Sequence, residues 1–495
     1  MKRLLFFIFV ALCLVACNNK QKSQSKEESQ EILSEKDLQG KKVATLTGSS
    51  FEIDMAGRSD FKIVRQPTMS DCIASLRQGR IDAIVYDEVC FTDDMLRENG
   101  IKKAFRTEKT YPCAFACSKS NLDLVNKFNE FLAKLKSSGE LNELTNRWKD
   151  CADYAHPDMP EVCDTLSGEP LVIGTTYTTA PISYMILDKW YGLEIEILNR
   201  FGEYIGRPVR YHLYDFAALI PALQSGQIDM AGGVLFVTEE RKQVLALTDV
   251  YYNCYGAFFV MDKDAEIKTG DPGLSDIKGS VRNNLVAENR WMFLARGLKV
   301  TLEITLLSML FGSILGTGLL AMRRSQRPWV RKIAKVYSSV LRGIPMVVLL
   351  MILFYIVLVG FSGIAVAVVA FTLTFTSSFA STMDNALHAV GDQQYEAGEA
   401  MGFTRTQIFR YITGPQALKR ALPQFKGEAI SLIKNTSVVG YVAIQDLTRA
   451  CDMIRARTFE AFFPLLFITI IYFLLAWLIG LFMDFLFKIA IKHLL

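Results

Sequence analysis

With 495 residues, the chain is too long for one hydrophobic core and long enough for two or three domains. Its 55 Lys+Arg against 51 Asp+Glu leave a net charge of only +4, while 51% of the residues are hydrophobic. A small basic excess that clusters beside apolar runs suits membrane topology and argues against a nucleic-acid binder.

The chain opens with Lys2 and Arg3 ahead of an apolar run, Leu4 to Val15, which is too short to span a bilayer comfortably and ends Leu14-Val15-Ala16-Cys17. A charged start, an apolar stretch and small residues at the cut make residues 1–16 an export signal. Cys17 directly after the small residues is similar to the bacterial lipobox, which implies a lipid-modified first residue; the alternative is an uncleaved anchor with an incidental cysteine. Residues 17–34 are polar, low in complexity and unable to bury a core, and read as a tether. Either way, residues 18–290 are expected to face outward.

Residues 18–290 carry charges throughout and no apolar run long enough to span. Two strand-like runs, Lys42 to Thr47 and Leu171 to Thr175, lead into polar residues (Gly48-Ser49-Ser50 after the first) and then into helical periodicity. A matching phrase comes later in each half, Gly79-Arg80-Ile81-Asp82-Ala83 and Gly226-Gln227-Ile228-Asp229-Met230. The alternation predicts a parallel-rich α/β architecture in two similar lobes, built from residues 35–150 and 169–280 around a linker at 151–168.

The composition changes after residue 290. Ile304 to Met322, Ile344 to Met383 and Ala461 to Met483 carry no charge. A helical crossing takes about 20 apolar residues, so the middle run allows two crossings, with a turn near Gly360 to Gly363. A weaker run, Ala429 to Ile444, adds another despite Lys434. An all-α membrane domain of about five transmembrane helices is therefore expected over 291–495. With the N-terminus outside, its inner segments hold Arg323, Arg324, Arg327, Arg331, Lys332 and Lys335, then Arg405, Arg410, Lys419, Arg420 and Lys426, then Lys488, Lys492 and His493. The positive-inside rule asks for that distribution.

The second inner segment reads Glu396-Ala397-Gly398, then Gly402, Ile412 and Pro415. It resembles the EAA loop of ABC import permeases, with Gly398 at the third position and Gly414 in place of a Leu. The resemblance implies a short helix from about Tyr395, a break at Gly402 and a second short helix closed by Pro415, together docking on an ATPase subunit. Arg342-Gly343-Ile344-Pro345, Lys434-Asn435-Thr436-Ser437, Gly297 and Thr301-Leu302-Glu303 are similar to signatures of polar amino-acid permeases of the histidine/glutamine type. Asp384-Asn385 departs from them, where the family usually shows Arg-Gly.

The outer lobes resemble the amino-acid-binding proteins of ABC importers, the periplasmic-binding-protein fold that closes by hinge motion. Their order is unusual. Residues 169–260 resemble the family's opening, in Leu171-Val172-Ile173-Gly174, Tyr191-Gly192-Leu193-Glu194-Ile195 and Thr238-Glu239-Glu240-Arg241. Residues 35–150 resemble its later part, from Asp37-Leu38-Gln39-Gly40-Lys41 to Gly139-Glu140-Leu141 and Arg147-Trp148. The hinge phrase occurs again at Leu274-Ser275-Asp276-Ile277-Lys278-Gly279. A circularly permuted binding domain explains this economically; the rival is two incomplete lobes that do not close on each other.

An amino acid presents a carboxylate and an ammonium. Arg241, in a helix that Thr238 can cap, matches the family's carboxylate-binding Arg, and a guanidinium beside free N–H groups favours an anion. Asp87, at a strand end, matches the ammonium-binding Asp. Phe216 matches the aromatic that packs on the ligand, core packing being its alternative, and Ser49 and Ser50 are placed to donate from the other lobe. Thr176 stands where an acid often meets the ligand, Phe236 where a hydroxyl meets the carboxylate, Thr179 where an aromatic stands, and Leu46 where some members have Lys. Without an acid in the side-chain pocket, a neutral polar amino acid such as glutamine is expected rather than a basic one.

Cys72, Cys90, Cys113, Cys117, Cys151, Cys163 and Cys254 fall in the outer part, where disulfides persist, and a Cys151–Cys163 staple is expected across the linker. With no CxxC spacing and with His156, His212, His388 and His493 scattered, no metal site is expected. No phosphate loop and no catalytic constellation occur, so the chain is expected to bind no cofactor, and ATP belongs to a separate ATPase subunit. Expected partners are a polar amino acid, an ABC ATPase dimer, a second permease subunit in a homodimer and the lipid bilayer of the inner membrane. A ligand-gated channel lacks the T-V-G-Y-G pore loop here and has no use for an EAA loop. A ligand sensor with a degenerate permease stays open through Phe236 and Asp384.

Overall fold

The computed structural model describes residues 32–494 except 48, 152–153, 155–156, 161–165, 167, 177–179, 187–188, 215, 263–276, 443, 459 and 461. The expected signal segment, Cys17, most of the tether, Thr179, His156 and Cys163 lie outside the described residues.

Short buried strands alternate with helices that begin on side-chain caps. β1 (Lys42–Leu46), α1 (Ser50–Met55), β2 (Lys62–Gln66), α2 (Met69–Arg77), β3 (Ala83–Asp87), α3 (Asp93–Asn99) and β4 (Ile101–Cys113) build the first lobe. Ser49 Oγ accepts from Glu52 N–H at 3.3 Å and Thr68 Oγ1 from Asp71 N–H at 3.2 Å, so α1 and α2 start where an N-cap residue satisfies an orphan donor. The chain then gives β5 (Ala116–Cys117), α4 (Leu122–Ser137) and α5 (Glu140–Lys149). The rest of the receptor is β6 (Leu171–Thr175), the hairpin β7 (Tyr184–Ile186) and β8 (Lys189–Tyr191), α6 (Leu193–Ile205), β9 (Val209–Leu213), α7 (Phe216–Gln224), β10 (Met230–Ala231), α8 (Glu239–Val244), β11 (Ala246–Leu247) and β12 (Tyr252–Met261).

Two five-stranded sheets result, in the orders β2-β1-β3-β12-β4 and β11-β5-β10-β6-β9. In each, a central strand pairs in parallel with two neighbours: β1 with β2 and β3, and β6 with β9 and β10. Each sheet is then extended by an antiparallel strand, β12 against β3 in one and β5 against β10 in the other. The lobes therefore do not coincide with the 35–150 and 169–280 halves. The first half sends β5, α4 and α5 into the second lobe, where Phe128 packs edge-on against Phe201 at 4.9 Å and Trp148 Nε1 donates to Glu196 at 2.7 Å. The second half returns β12 to the first lobe. The chain crosses between lobes twice, between Cys113 and Ala116 and between Leu247 and Tyr252.

A short helix, α9 (Ile277–Val281), precedes the membrane domain: α10 (Trp291–Arg323), α11 (Pro328–Gly343), α12 (Met346–Ile352), α13 (Gly363–Val390), α14 (Asp392–Ala400), α15 (Arg405–Gln407), α16 (Gly414–Asn435), α17 (Leu447–Thr458) and α18 (Phe462–Leu494). Three helices are long and apolar enough to cross a membrane among the described residues, Trp291–Arg323, Gly363–Val390 and Phe462–Ile489. A fourth is present if α11 and the stretch Met346–Val357, bent by 104° against each other, count as one. The expected count of five is not confirmed among the described residues. α16 carries charged residues along its length and gives way after Asn435 to a 3-10 turn over Thr436–Val442. α10 links the two ends of the bundle. Phe293 packs with Met453 and the receptor's Met185, and at the other end Arg324 faces Asp384 at 3.5 Å.

The receptor sits directly on the permease bundle. Leu219, Ala222 and Leu223 of α7 join one apolar cluster with Leu349, Leu350 and Phe354, and Gln227 Nε2 donates to Phe354 O at 2.5 Å. From the first lobe, Asp71 pairs with Arg455 at 2.6 Å and Ser70 Oγ donates to Arg455 O at 2.8 Å.

Candidate functional site

A cavity of about 630 Å³ lies where the two lobes meet the permease. Ser49, Phe51, Tyr86, Asp87 and Phe91 line it from the first lobe, Thr176, Tyr214, Phe216 and Phe236 from the second. Its third wall is permease: Ser437, Tyr441, Asp446, Thr448, Arg449 and Asp452.

Asp87 ends β3 and is 2% exposed. One carboxylate oxygen accepts from Val89 N–H at 3.1 Å; the other has no well-formed hydrogen bond. Burial pushes the carboxyl up to about 6, against the opposite pull of the Cys254 thiol and Val89 N–H. A half-satisfied buried carboxylate facing a cavity is suited to a cation or ammonium. Ser49 also lines the cavity, capping α1 and sharing a 3.1 Å hydrogen bond with Thr45 Oγ1. Ser50 opens α1, and its side chain lies outside the described residues.

Thr176 and Phe216 reach the cavity wall from the second lobe; Arg241 does not. Thr238 caps α8 through Arg241 N–H at 3.3 Å, as its spacing suggests, but the Arg241 side chain turns inward and is 6% exposed. Its Nη1 donates to Phe236 O at 2.8 Å and its guanidinium lies 5.2 Å from the Phe216 ring centroid. Burial works against its charge. Arg241 therefore braces the two aromatics from behind rather than reaching the cavity. Phe236, in the place of the expected hydroxyl, closes the cleft: its ring meets Phe51 edge-on at 5.2 Å and stacks on Tyr111 at 5.0 Å.

Two features of the site are not singled out by the sequence. Glu194, 1% exposed, accepts from Gly233 N–H at 2.7 Å, from Val234 N–H at 2.8 Å and from Tyr251 OH. It occupies the backbone donors of the loop beside the cavity, and burial raises its pKa. The permease wall is the other; its signal is the charged phrase Asp446 to Asp452 just after an apolar run. Cys72, Cys90, Cys113, Cys117 and Cys254 are buried free thiols. Among the described residues no cluster of His, Cys, Asp and Glu is placed to hold a metal ion.

At the far end of the bundle, Glu396 and Ala397 are exposed on α14, which starts at Asp392, ahead of Tyr395. Gly402 supplies the break with φ +80°. Gly398 is buried, and a Cβ there would meet Ile408 Cγ1 at 2.8 Å and Ile412 Cδ1 at 3.2 Å, which accounts for glycine at the third EAA position. Gly414 is equally confined: a Cβ would lie 2.4 Å from Phe409 O. Pro415 does not close a helix. It sits at the start of α16, directly after a π-helical turn over Ile408–Thr413, so the chain stays helical through it. Asp384 sits on α13 and faces Arg324, while His388 Nδ1 contacts the Asp384 carbonyl at 2.8 Å.

Residues 308–494 match the binding-protein-dependent transport system inner membrane components. Among relatives, the L-cystine transport system permease TcyB of Bacillus subtilis is 31% identical over 180 residues, covering 36% of this chain and 77% of that protein. The chain belongs to this permease family. A putative glutamine transport system permease of Rickettsia conorii is 29% identical over 192 residues, covering 38% of this chain and 88% of that one. Residues 171–343 match the bacterial extracellular solute-binding proteins, family 3, so the permease carries a fused binding domain. The crystal structure of an amino acid ABC transporter with histidines superposes with a TM-score of 0.38 at 26% identity, covering 43% of this chain and 96% of that one. Permeases of this family are not enzymes, and an ABC ATPase subunit partners them.

Proposed function

We infer that this permease is the membrane subunit of an ABC importer that captures a polar amino acid outside and passes it inward, driven by its separate ATPase. The observation that carries this reading is the cavity lined jointly by both receptor lobes and the permease, with the buried carboxylate of Asp87 on its wall. Asp87 receives the ligand ammonium, Phe216 and Phe236 its side chain, and Ser49, Ser50 and Thr176 its remaining polar atoms. Neutral polar amino acids, glutamine first, suit a second lobe that, among the described residues, sets no charged side chain on the cavity wall.

The binding domain is a circular permutant. Both sheets share one strand order, and each borrows its antiparallel strand from the other half of the chain, which supports a single closing domain cut open at a new point. The receptor end faces outward, tethered through lipidated Cys17. The basic end, Arg323 to Lys335, and the EAA loop face the cytoplasm. There Glu396, Ala397, Gly402 and Ile412, with exposed Met401, Phe409 and Tyr411, present a surface to an ATPase dimer, and a second copy of this chain completes the pathway.

Cells expressing the chain with its ATPase are expected to accumulate one or two labelled amino acids, and Asp87→Asn to cut that uptake more than tenfold. Uptake no greater than in cells lacking the chain, for every common amino acid, overturns the reading.

A further inference from the structure

We propose that the permease itself supplies the cation for the ligand's carboxylate, through Arg449 on α17; this rests on the amino-acid reading above. Among the described residues lining the cavity, Arg449 carries the one positive charge. The receptor's own candidate, Arg241, is held behind Phe216 and Phe236. An α-amino acid seated with its ammonium at Asp87 therefore meets its counter-charge across the chamber, on the permease.

The local structure fixes the turn that carries Arg449. Asp446 caps α17, one oxygen accepting from Arg449 N–H at 2.9 Å and the other from Thr448 N–H at 3.2 Å. Thr448 Oγ1 is tied to Tyr472 OH at 2.9 Å, which anchors the same turn to α18. Asp452, also on the wall, is engaged by Arg455 Nη1 at 3.2 Å, and Arg455 in turn pairs with Asp71 of the first lobe. Phe51, Phe91 and Phe236 make much of the remaining wall apolar, and in such surroundings a charge–charge contact is screened less than in water. A planar guanidinium presents paired donors to a carboxylate.

Functionally, high affinity then needs the receptor docked on its permease, because half of the zwitterion's recognition lies below the lobes. The ligand is already in contact with the permease when it is captured, and moves inward without first dissociating from a free receptor. The amino-acid specificity of this wall is for the α-carboxylate, common to all substrates, leaving side-chain choice to the lobes.

The full chain in lipid nanodiscs, titrated calorimetrically with the common amino acids and then with the α-carboxamide of the tightest binder, tests this. The wild type is expected to prefer the acid over its carboxamide by tenfold or more. Arg449→Gln should weaken the acid about tenfold and leave acid and carboxamide equal, Arg449→Lys should restore part of the preference, and Arg241→Gln should weaken both ligands alike. A preference that survives Arg449→Gln, or one that collapses in Arg241→Gln instead, overturns the assignment while leaving the importer intact. If the wild type binds no amino acid, the importer reading falls, and this inference with it.

Discussion

The two lobes rest on the permease by different physics. The second lobe places apolar side chains of α7 in one buried cluster with Leu349, Leu350 and Phe354, a largely non-directional contact to which Gln227 adds a hydrogen bond to Phe354 O. Among the described residues, the polar contacts of the first lobe with the permease run from Asp71 and Ser70 to Arg455, whose side chain is 7% exposed while that of Asp71 is 25% exposed. A polar contact centred on one arginine can be broken and remade as a unit; an interdigitated apolar surface has no such intermediate. The second lobe is therefore expected to stay docked while the first moves, with Asp87 on the side expected to move.

The largest effect should come from the fixed contact. Phe354→Ala removes a ring that is 3% exposed, and such truncations cost about 3–5 kcal/mol. Hydrogen exchange should then rise across α7 but not α2; equal protection in both helices would remove the distinction between the lobes. Asp71→Asn should cost less, about 2 kcal/mol, because Asp71 is partly exposed and Asp452 still reaches Arg455 at 3.2 Å. It should release α2 alone, and molar salt should mimic it only in part, since a half-buried pair is screened less than an exposed one.

Asp87 sharpens the comparison through pH. Its folded value near 6 lies above the ordinary 3.8, so between those values the folded chain binds the extra proton. Stability from this group falls as pH rises through that window, by up to about 3 kcal/mol. Ligand ammonium favours the ionised form, so affinity should instead fall roughly tenfold between pH 7 and pH 5. Asp87→Asn should flatten both profiles; opposed slopes that persist would assign them to another group. The smallest effect is expected far from either dock. Gly398→Ala should cost about 1 kcal/mol through the 2.8 Å approach to Ile408, slowing transport while leaving amino-acid binding unchanged.

Features set by near neighbours are legible in the sequence. The cap at Thr238, the break at Gly402 and the long apolar helices α10, α13 and α18 all come from a few adjacent residues or from summed hydropathy. Pro415 is ambiguous at that level, because a proline that ends one helix and one that begins the next look alike locally.

What the sequence by itself determined, then, is the division into a charged α/β receptor and an apolar helical bundle, because burial preference is a property of composition. Only the tertiary structure decided that β5 and β12 change lobes. β5 has two residues and no readable periodicity, and its place is won by pairing with β10, a segment distant in the chain. Only the tertiary structure turned Arg241 inward and brought Arg449 to the chamber, because a side chain's partners depend on which surfaces meet, and no local rule encodes that meeting.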